Sequence, residues 1–394
     1  MRIQRINISG YRSLWDVTIG NLGPVNIFYG DNNTGKSNIL AALETLFRIE
    51  VVEEMETAVG RFLQGTLSNF VDNFTMKAGR ERVEAIRFQV RLGLEDRDLQ
   101  NLAAFSEFIE RHNIFESGHN QRVQLDAEIT PLTRDQAMKT VTRVSINNKL
   151  LYDRSLPETN RFFPALMKQV AIEDRQGPAE ELFQYLVNSF VLVSAGRFLQ
   201  PETSVETPVV NLSSQWFKNW LRFLSGSRGE SYRTFERIQE WFQGKPFGYG
   251  TIRSISEGDR IELVVTDESG RELLVERLGT GVQQVLMLLS NIAASDAKIV
   301  GFEELELNLS PRMQGETLNK LKELAGPPSG LVDQFLLTSH SMHLSRREDV
   351  VLYAVSLTEA HGTKVERGPS AIRQLPEHFA YGLFRLPRSR RWRT

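Results

Sequence analysis

Eight consecutive residues near the start of the sequence have the composition of a phosphate-binding loop. Residues 30–37, Gly-Asp-Asn-Asn-Thr-Gly-Lys-Ser, match the pattern G-x-x-x-x-G-K-[ST]. In this pattern, glycines let backbone amides curl around an oxyanion, the lysine neutralises β- and γ-phosphate oxygens, and the final hydroxyl completes a Mg²⁺ shell. The residues that we expect to bind the nucleotide here are Gly30, Asn32, Asn33, Thr34, Gly35, Lys36, Ser37 and Asn38. Ser37 is also a candidate Mg²⁺ ligand, and the alternative is a glycine turn with an incidental lysine.

Two acidic residues follow a short apolar run later in the sequence. Glu303 and Glu304 come directly after residues 298–302, which predict a buried central strand, and α/β sheets bind ligands at the carboxyl ends of such strands. We expect Glu303 to bind Mg²⁺, directly or through water, and Glu304 to orient and deprotonate an attacking water. The alternative is that the acidic run caps a surface helix.

A histidine stands at the end of a second apolar run. Residues 334–338 predict another buried strand, and His340 lies just after it. Its imidazole can donate a hydrogen bond to a γ-phosphate. The alternative is a packed or surface histidine.

The elements around these residues predict a parallel sheet. Val25–Tyr29 predicts a strand before the loop, and the spacing of Ile39, Leu40, Leu43, Leu46 and Phe47 predicts a helix after it. From residue 281 to 338 predicted helices and strands alternate, which is typical of crossover connections. Trp15, Val17 and Ile19 alternate as one buried strand face should.

The middle of the sequence is helical and irregular. A predicted helix there puts Trp216, Trp220 and Phe223 on one face, and residues 190–194 predict an isolated buried strand. We therefore expect an insertion at 157–247 between ATPase lobes at 1–156 and 248–360, with an extension at 361–394.

Composition excludes several classes of function. The 394 residues carry a net charge of 47 − 49 = −2, so nucleic-acid binding would need a local patch. The sequence has no cysteine, which excludes disulfides, thiolate nucleophiles and cysteine-ligated zinc. It has neither an apolar run of about 18 residues nor a signal peptide. We therefore expect a cytoplasmic protein without a membrane partner.

A glycine-containing segment completes a recognisable set. Leu278-Gly279-Thr280-Gly281-Val282-Gln283-Gln284, called here the signature segment, opens a predicted helix just before the acidic strand. The order of phosphate loop, signature segment, acidic strand and histidine resembles the ABC-type ATPases of the SMC/RecF-related branch. Within that branch it looks most like the ATPase domain of the OLD family and stand-alone AAA-type ATP-binding proteins of defence systems. The segments that carry the resemblance are INISGYRSL, GDNNTGKSN, LGTGVQQVLMLL, FEELELNLSP and LLTSHS.

This resemblance implies a fold and roles for particular residues. The implied fold is an α/β ABC-ATPase (P-loop) fold with a mixed or parallel central sheet, an N-terminal antiparallel β subdomain and a helical insertion. Glu304 would be the catalytic base, His340 the switch histidine and Arg12 an arginine that approaches the nucleotide. Thr280 and Gly281 would reach the γ-phosphate of ATP held by a second protomer. The implied active form is a two-fold homodimer or higher oligomer with ATP and Mg²⁺ between protomers.

Several positions depart from the family pattern. Gly279 stands at the position where the signature usually has serine, and Glu303 stands where aspartate is commoner. Leu305 and Ser310 stand where proline and histidine are frequent. Gln89 is a candidate glutamine-loop residue. Arg197 looks like an arginine of this branch without an assigned role.

Residues outside these motifs give weaker indications. After His340 the sequence lacks the acidic pattern of a TOPRIM nuclease domain, so we expect an ATPase without its own cutting domain. Asp96 and Asp98 are interpreted as helix-capping residues, and His112 and His119 as loop residues. Five arginines at 385–393 would suit DNA contact, and the alternative is a solvated tail.

These observations favour an ATPase whose ATP-driven dimerisation controls DNA or a partner effector, a nuclease or toxin, in DNA repair or anti-phage defence. The alternative is a slow-turnover, ATP-gated scaffold that sequesters a partner. A transporter subunit is disfavoured, because the 304 − 36 = 268 positions from Lys36 to Glu304 leave room for a large insertion.

Overall fold

A computed structural model describes residues 1–47, 63–75, 83–114, 120–157, 161, 177–195, 217–257, 260–326, 331–358 and 361–372. The strands are β1 (Arg2–Tyr11), β2 (Leu14–Gly20), β3 (Val25–Tyr29), β4 (Gln64–Ser68), β5 (Ile86–Glu95), β6 (Asn120–Pro131), β7 (Gln136–Ile146), β8 (Lys149–Asp153), β9 (Phe190–Val193), β10 (Thr251–Glu257), β11 (Arg260–Thr266), β12 (Glu272–Leu274), β13 (Ile299–Phe302), β14 (Gln334–Ser339), β15 (Val351–Thr358) and β16 (Gly362–Arg367). The helices are α1 (Lys36–Phe47), α2 (Asp96–Gln100), α3 (Ala103–Arg111), α4 (Pro178–Val187), α5 (Phe217–Gly226), α6 (Glu230–Gln243), α7 (Thr280–Ala294), α8 (Pro311–Leu324), α9 (Met342–Ser345) and α10 (Pro369–Ile372).

The N-terminal strands form an antiparallel sheet in the order β2-β1-β5-β6-β7-β4, and β8 pairs with β7. In β5 the side chains of Ile86, Phe88 and Val90 are buried, whereas those of Arg87 and Gln89 point to solvent. This alternation is expected of a sheet that is covered on one face only. The predicted antiparallel β portion is therefore confirmed.

A second, mixed sheet has the order β16-β15-β3-β14-β13-β9. Its strands run parallel except for β16, which is antiparallel to β15. All residues of β3 and β13 are buried, because layers cover both faces of the sheet. The strand predicted at 190–194 is present as β9, paired with β13.

Helix α1 packs between the two sheets. Ile39, Leu43 and Phe47 of this helix share one hydrophobic core with the inner face of the antiparallel sheet and with Ile299 and Leu336 of the mixed sheet. The opposite face of the mixed sheet packs against α5 to α8 in a second core. The small antiparallel sheet β10-β11-β12 also contributes to this second core. The fold is therefore α/β with mixed sheets, as predicted.

The structure corrects one predicted buried face and one predicted grouping of side chains on a helix. Trp15 is 37% exposed, although Val17 and Ile19 are buried, and the residue that enters the core at this end of β2 is Leu14. In α5, Trp220 is 3% exposed but Phe223 is 46% exposed. The buried stripe of this helix runs instead through Phe217, Trp220, Leu221 and Leu224, and Trp216 lies outside the described residues.

The interpretation of Asp98 as a capping residue is confirmed. Its side chain accepts a hydrogen bond from the backbone amide of Glu95 at 2.7 Å, within a capping box that opens α2. His112 ends α3 and packs on the Phe108 ring at 4.8 Å, whereas His119 is outside the described part of the chain. Within that described part, every helix is too short or too polar to cross a bilayer.

Candidate nucleotide-binding site

The phosphate loop (residues 30–37) connects β3 to α1, as predicted. At its start, the backbone amide of Gly30 donates to the carbonyl oxygen of Ser339 at the end of β14, 3.3 Å away. Asn33 and Gly35 have φ angles of 63° and 98°, the left-handed region that asparagine and glycine tolerate best. The loop therefore curls at the carboxyl edge of the mixed sheet, with α1 beginning at Lys36.

The hairpin of β15 and β16 supports the loop closely. A Cβ atom on Gly30 would lie 2.2 Å from the carbonyl oxygen of Val355, and one on Gly35 would lie 2.1 Å from the hydroxyl oxygen of Thr363. Neither position has room for a side chain. The two glycines of the motif are thus required by packing as well as by the curl of the loop.

Lys36 is buried at the centre of the loop. Its Nζ donates to the carbonyl oxygens of Gly30 at 2.8 Å and Asp31 at 2.5 Å. Burial lowers the pKa of Lys36, and the carboxylates of Glu306, Glu304 and Asp31 oppose that shift. The acidic segment after β13 therefore favours the charged form of the lysine, and both lie at the carboxyl edge of the mixed sheet, where β14 separates β3 from β13.

A chain of polar side chains joins Arg12 to the back of the loop. Nη1 of Arg12 donates to Oδ1 of Asn38 at 3.2 Å, and Nδ2 of Asn38 donates to the Ser13 hydroxyl at 2.8 Å. The Ser13 hydroxyl lies 2.7 Å from that of Thr363, which donates to the carbonyl oxygen of Thr34 at 2.9 Å. These contacts place Arg12 beside the first turn of α1, where the resemblance puts it.

Glu303 and Glu304 follow β13 at the same edge. The amide of Glu303 donates to the carbonyl oxygen of Val193 at 3.0 Å, and the amide of Glu304 donates to the hydroxyl of Thr338 at 2.9 Å. Glu304 has a φ of 46°, a left-handed conformation that costs free energy for a residue other than glycine. Strained residues of this kind are concentrated at functional sites. The left-handed conformation of Glu304 turns the chain sharply just after the strand.

The sequence reasoning missed Glu306, the third acid of this run. Its Oε1 accepts from the backbone amide of His340 at 2.5 Å and lies 2.8 Å from Nδ1 of the same histidine. The Glu306 side chain is 6% exposed, whereas that of His340 is 47% exposed. The only signal in the sequence was the clustering of three acids in four positions, which did not show which one meets the histidine.

The signature segment presents the N-terminus of α7 to solvent. Gly279 and Thr280 are exposed, whereas Gly281 is buried. A Cβ on Gly281 would lie 2.9 Å from both the carbonyl oxygen of Asn308 and the terminal methyl of Met313. Because the first amides of a helix have no partner within it, this end can offer donors and the positive end of the helix dipole to an anion.

Sequence comparison identifies the family. The family described as "AAA ATPase domain" (AAA_15) matches residues 1–189 and 197–344, most of the chain. The chain belongs to this AAA ATPase domain family. It is an ATP-binding ATPase. No curated protein matches the sequence significantly.

Solved structures with a similar fold are heads of SMC proteins. The structure titled "Crystal structure of the SmcHead bound to the C-winged helix domain of ScpA" has a TM-score of 0.55 and 16% identity, over 93% of this chain and 98% of that chain. An Smc head with an extended coiled coil, bound to the C-terminal domain of ScpA derived from Pyrococcus furiosus, has a TM-score of 0.52 and 13% identity, over 94% and 98%. At these identities the likeness shows the fold alone, and the AAA ATPase domain therefore has an SMC head-like fold.

The residues available for a metal ion fit a nucleotide-bound Mg²⁺. The Ser37 side chain is exposed at the end of the loop, and Glu303 is half-buried at the strand edge. Among the residues that the structure describes, no three histidine, aspartate or glutamate side chains form a metal-binding group. Mg²⁺ on nucleotides commonly keeps waters and phosphate oxygens and takes only one or two protein ligands, so one hydroxyl and one carboxylate are a suitable set.

Gln89, another candidate of the AAA ATPase domain, lies on the antiparallel sheet. Gln89 is within β5, not after a strand, and its Oε1 accepts from Nδ2 of Asn7 at 3.1 Å on the solvent face of the antiparallel sheet. Arg197 and the arginines at 385–393 are outside the described residues. Asn73, which the sequence reasoning also missed, accepts from Nε of Arg12 at 2.7 Å.

Proposed function

We propose that this ATPase hydrolyses ATP in a Mg²⁺-dependent reaction, and that ATP-driven dimerisation uses the reaction to control DNA or a partner effector. The observation that carries the proposal is that the loop and Glu304 both bond to the end of β14, where the amide of Gly30 donates to the carbonyl oxygen of Ser339 at 3.3 Å and the amide of Glu304 donates to the hydroxyl of Thr338 at 2.9 Å. A triphosphate bound by the loop amides and Lys36 would place its terminal phosphate beside Glu304.

Each side chain then has a defined task. Arg12, held by Asn38 and Asn73, approaches the nucleotide from the β1–β2 turn. Ser37 and Glu303 would hold Mg²⁺, which neutralises phosphate charge when it is bound. Glu304 orients and deprotonates the attacking water, and its amide bond to Thr338 fixes the backbone from which it projects.

Dimerisation would join the loop of one protomer to the signature segment of the other. The exposed Gly279 and Thr280 lie at the start of α7, where helix amides can bind the γ-phosphate of ATP held by a partner. Two ATP molecules would then bridge a two-fold dimer. Hydrolysis removes the bridging phosphate, so the nucleotide state sets the shape of the assembly.

The effector is proposed by analogy. Both similar SMC heads were solved with a bound domain of ScpA, which supports the coarser expectation that this head also binds a partner protein. A nuclease or toxin in DNA repair or anti-phage defence remains our proposal, as does OLD-family membership. In the proposed insertion at 157–247, Phe223 and Tyr232 are exposed apolar side chains that a partner could cover. Trp220 is buried and is not available for such a contact.

Turnover of the native protein and of Glu304→Gln tests the proposal. Phosphate release is measured with Mg²⁺ and with EDTA, and with and without DNA, while size-exclusion chromatography with ATP reports the dimer. We expect the substitution to reduce kcat by about 100-fold or more while ATP still binds and the dimer accumulates. Glu316→Gln, an identical change at a partly exposed glutamate paired with the exposed Arg312, is the matched control. Native turnover that persists in Glu304→Gln contradicts the assignment of the base.

A second candidate function is an ATP-gated scaffold with slow turnover. Gly279 caps α7 without a side-chain hydrogen bond, so the position of the usual serine supplies no hydroxyl to the phosphate. Negligible native turnover with tight ATP retention in the same assay supports the scaffold. Appreciable turnover that is lost in Glu304→Gln supports the hydrolase.

A further inference from the structure

His340 has an acidic partner that is not the proposed catalytic base. Oε1 of Glu306 accepts the backbone N–H of His340 at 2.5 Å and lies 2.8 Å from its Nδ1. One carboxylate oxygen thus binds both the backbone and the ring of the same residue. A two-point contact of this kind fixes the orientation of the imidazole as well as its place.

The contact also selects a tautomer. An ionised carboxylate only accepts hydrogen bonds, so Nδ1 must carry the proton that points to Glu306. The other ring nitrogen, Nε2, is then an acceptor in the neutral ring and a second donor in the imidazolium. The imidazole is half exposed while Glu306 is buried, so the histidine is accessible and the carboxylate lies behind it.

Glu306 is costly to bury, which indicates a role beyond stability. Its second oxygen, Oε2, is buried and has no hydrogen-bond partner among the described residues. A buried carboxylate with an unpaired oxygen destabilises a fold unless a charge nearby compensates it. The charge of Glu306 also opposes the lowering of the Lys36 pKa by burial, so the carboxylate affects both residues that we expect to meet the γ-phosphate.

We propose that Glu306 is the positioning residue of His340, which it holds as the Nδ1–H tautomer with Nε2 directed to the terminal phosphate. The inference rests on the proposed hydrolysis of ATP at this site. The two acids then have different roles, since Glu304 activates water and Glu306 orients the histidine. The chain turns sharply at Glu304, which has a φ of 46°.

Two substitutions with opposite expectations test this assignment. Glu306→Leu removes the acceptor and the buried charge, and we expect kcat to fall by tenfold or more, with KM for ATP within twofold of native. Because the backbone amide of His340 also loses its acceptor, the melting temperature should fall in Glu306→Leu. Glu306→Gln retains an amide oxygen that can accept from Nδ1–H, and it should recover most of kcat. Glu316→Gln serves as the surface control.

A double-mutant cycle and a spectroscopic measurement separate positioning from packing. In the His340→Ala background, Glu306→Leu should cause no further loss of kcat, because the two residues act as one unit. In ¹⁵N-histidine spectra of the native protein, with His340→Ala giving the assignment, His340 should carry its proton on Nδ1. A native Nε2–H tautomer, a kcat of Glu306→Leu within twofold of native, or an equal loss in the His340→Ala background would overturn the proposal. The tautomer is measured without turnover, so a native protein that hydrolyses no ATP refutes the proposed function without deciding the role of Glu306.

Discussion

The hydroxyl of Thr363 offers a test of how the C-terminal hairpin supports the phosphate loop. Thr363 is 2% exposed, and its hydroxyl donates to the carbonyl oxygen of Thr34 at 2.9 Å and lies 2.7 Å from the Ser13 hydroxyl. Thr363→Val keeps the shape of the side chain and removes both contacts. At about 1 kcal/mol for each hydrogen bond, the expected loss is roughly 2 kcal/mol.

Because both contacts hold the loop, the loss should appear mainly in nucleotide binding. If ATP binding must restore the loop at a cost of the whole ~2 kcal/mol, ATP affinity falls by about 30-fold. If the cost is half of that free energy, the affinity falls by about fivefold. Isothermal titration calorimetry gives the affinity, and Thr18→Val, on the exposed face of β2, is the matched control. An affinity of Thr363→Val within twofold of native would refute the reasoning that the hairpin shapes the loop.

Three further predictions concern the signature segment, Lys36 and the helical region. Gly281→Ala places a methyl group 2.9 Å from Asn308 and Met313. It should therefore abolish the ATP-dependent dimer in size-exclusion chromatography, while ATP affinity of the monomer stays within about twofold; a persisting dimer contradicts the role of this helix end. Burial lowers the pKa of Lys36 from 10.5, so ATP affinity should fall with rising pH before an ordinary lysine would titrate. The free energy of unfolding should rise with pH between the lowered pKa of Lys36 and the ordinary lysine pKa, because in this range the unfolded chain holds the Lys36 proton to a higher pH than the folded chain does. Calorimetry from neutral to alkaline pH checks the affinity, and a constant value counts against a buried lysine. Trp220→Ala should lower the free energy of unfolding by about 3–5 kcal/mol, whereas Phe223→Ala, on the exposed side of α5, should change it by less than about 0.5 kcal/mol; equal losses in denaturant titrations would contradict the burial pattern.

Local patterns predicted the central part of the fold well. Val25–Tyr29 was predicted with the bounds that the structure has, because an apolar run between a proline and a glycine marks it. The capping role of Asp98 followed from local chemistry in the same way. Such features depend only on residues that are close in the sequence, so the sequence alone is enough to predict them.

Contacts between distant segments could not be predicted in this way. Thr363 and Thr34 are 329 positions apart, and nothing in either segment indicates that the C-terminal hairpin packs under the loop. Glu306 meets His340 only because β13 and β14 are neighbours and the chain turns sharply at Glu304. Phe223 was placed on the face of Trp220, but the structure buries Leu224 instead, because both residues are apolar and only the fold decides which is covered.

A crystal structure with Mg²⁺ and a non-hydrolysable ATP analogue would show directly whether the loop and the acidic residues share one nucleotide. We expect the loop amides and Lys36 to bind the β- and γ-phosphates, and Glu304 to face the γ-phosphate across one water. His340 should approach the same phosphate while it remains bonded to Glu306. A nucleotide bound away from residues 30–37, or a γ-phosphate beyond the reach of both Glu304 and His340, would contradict the account.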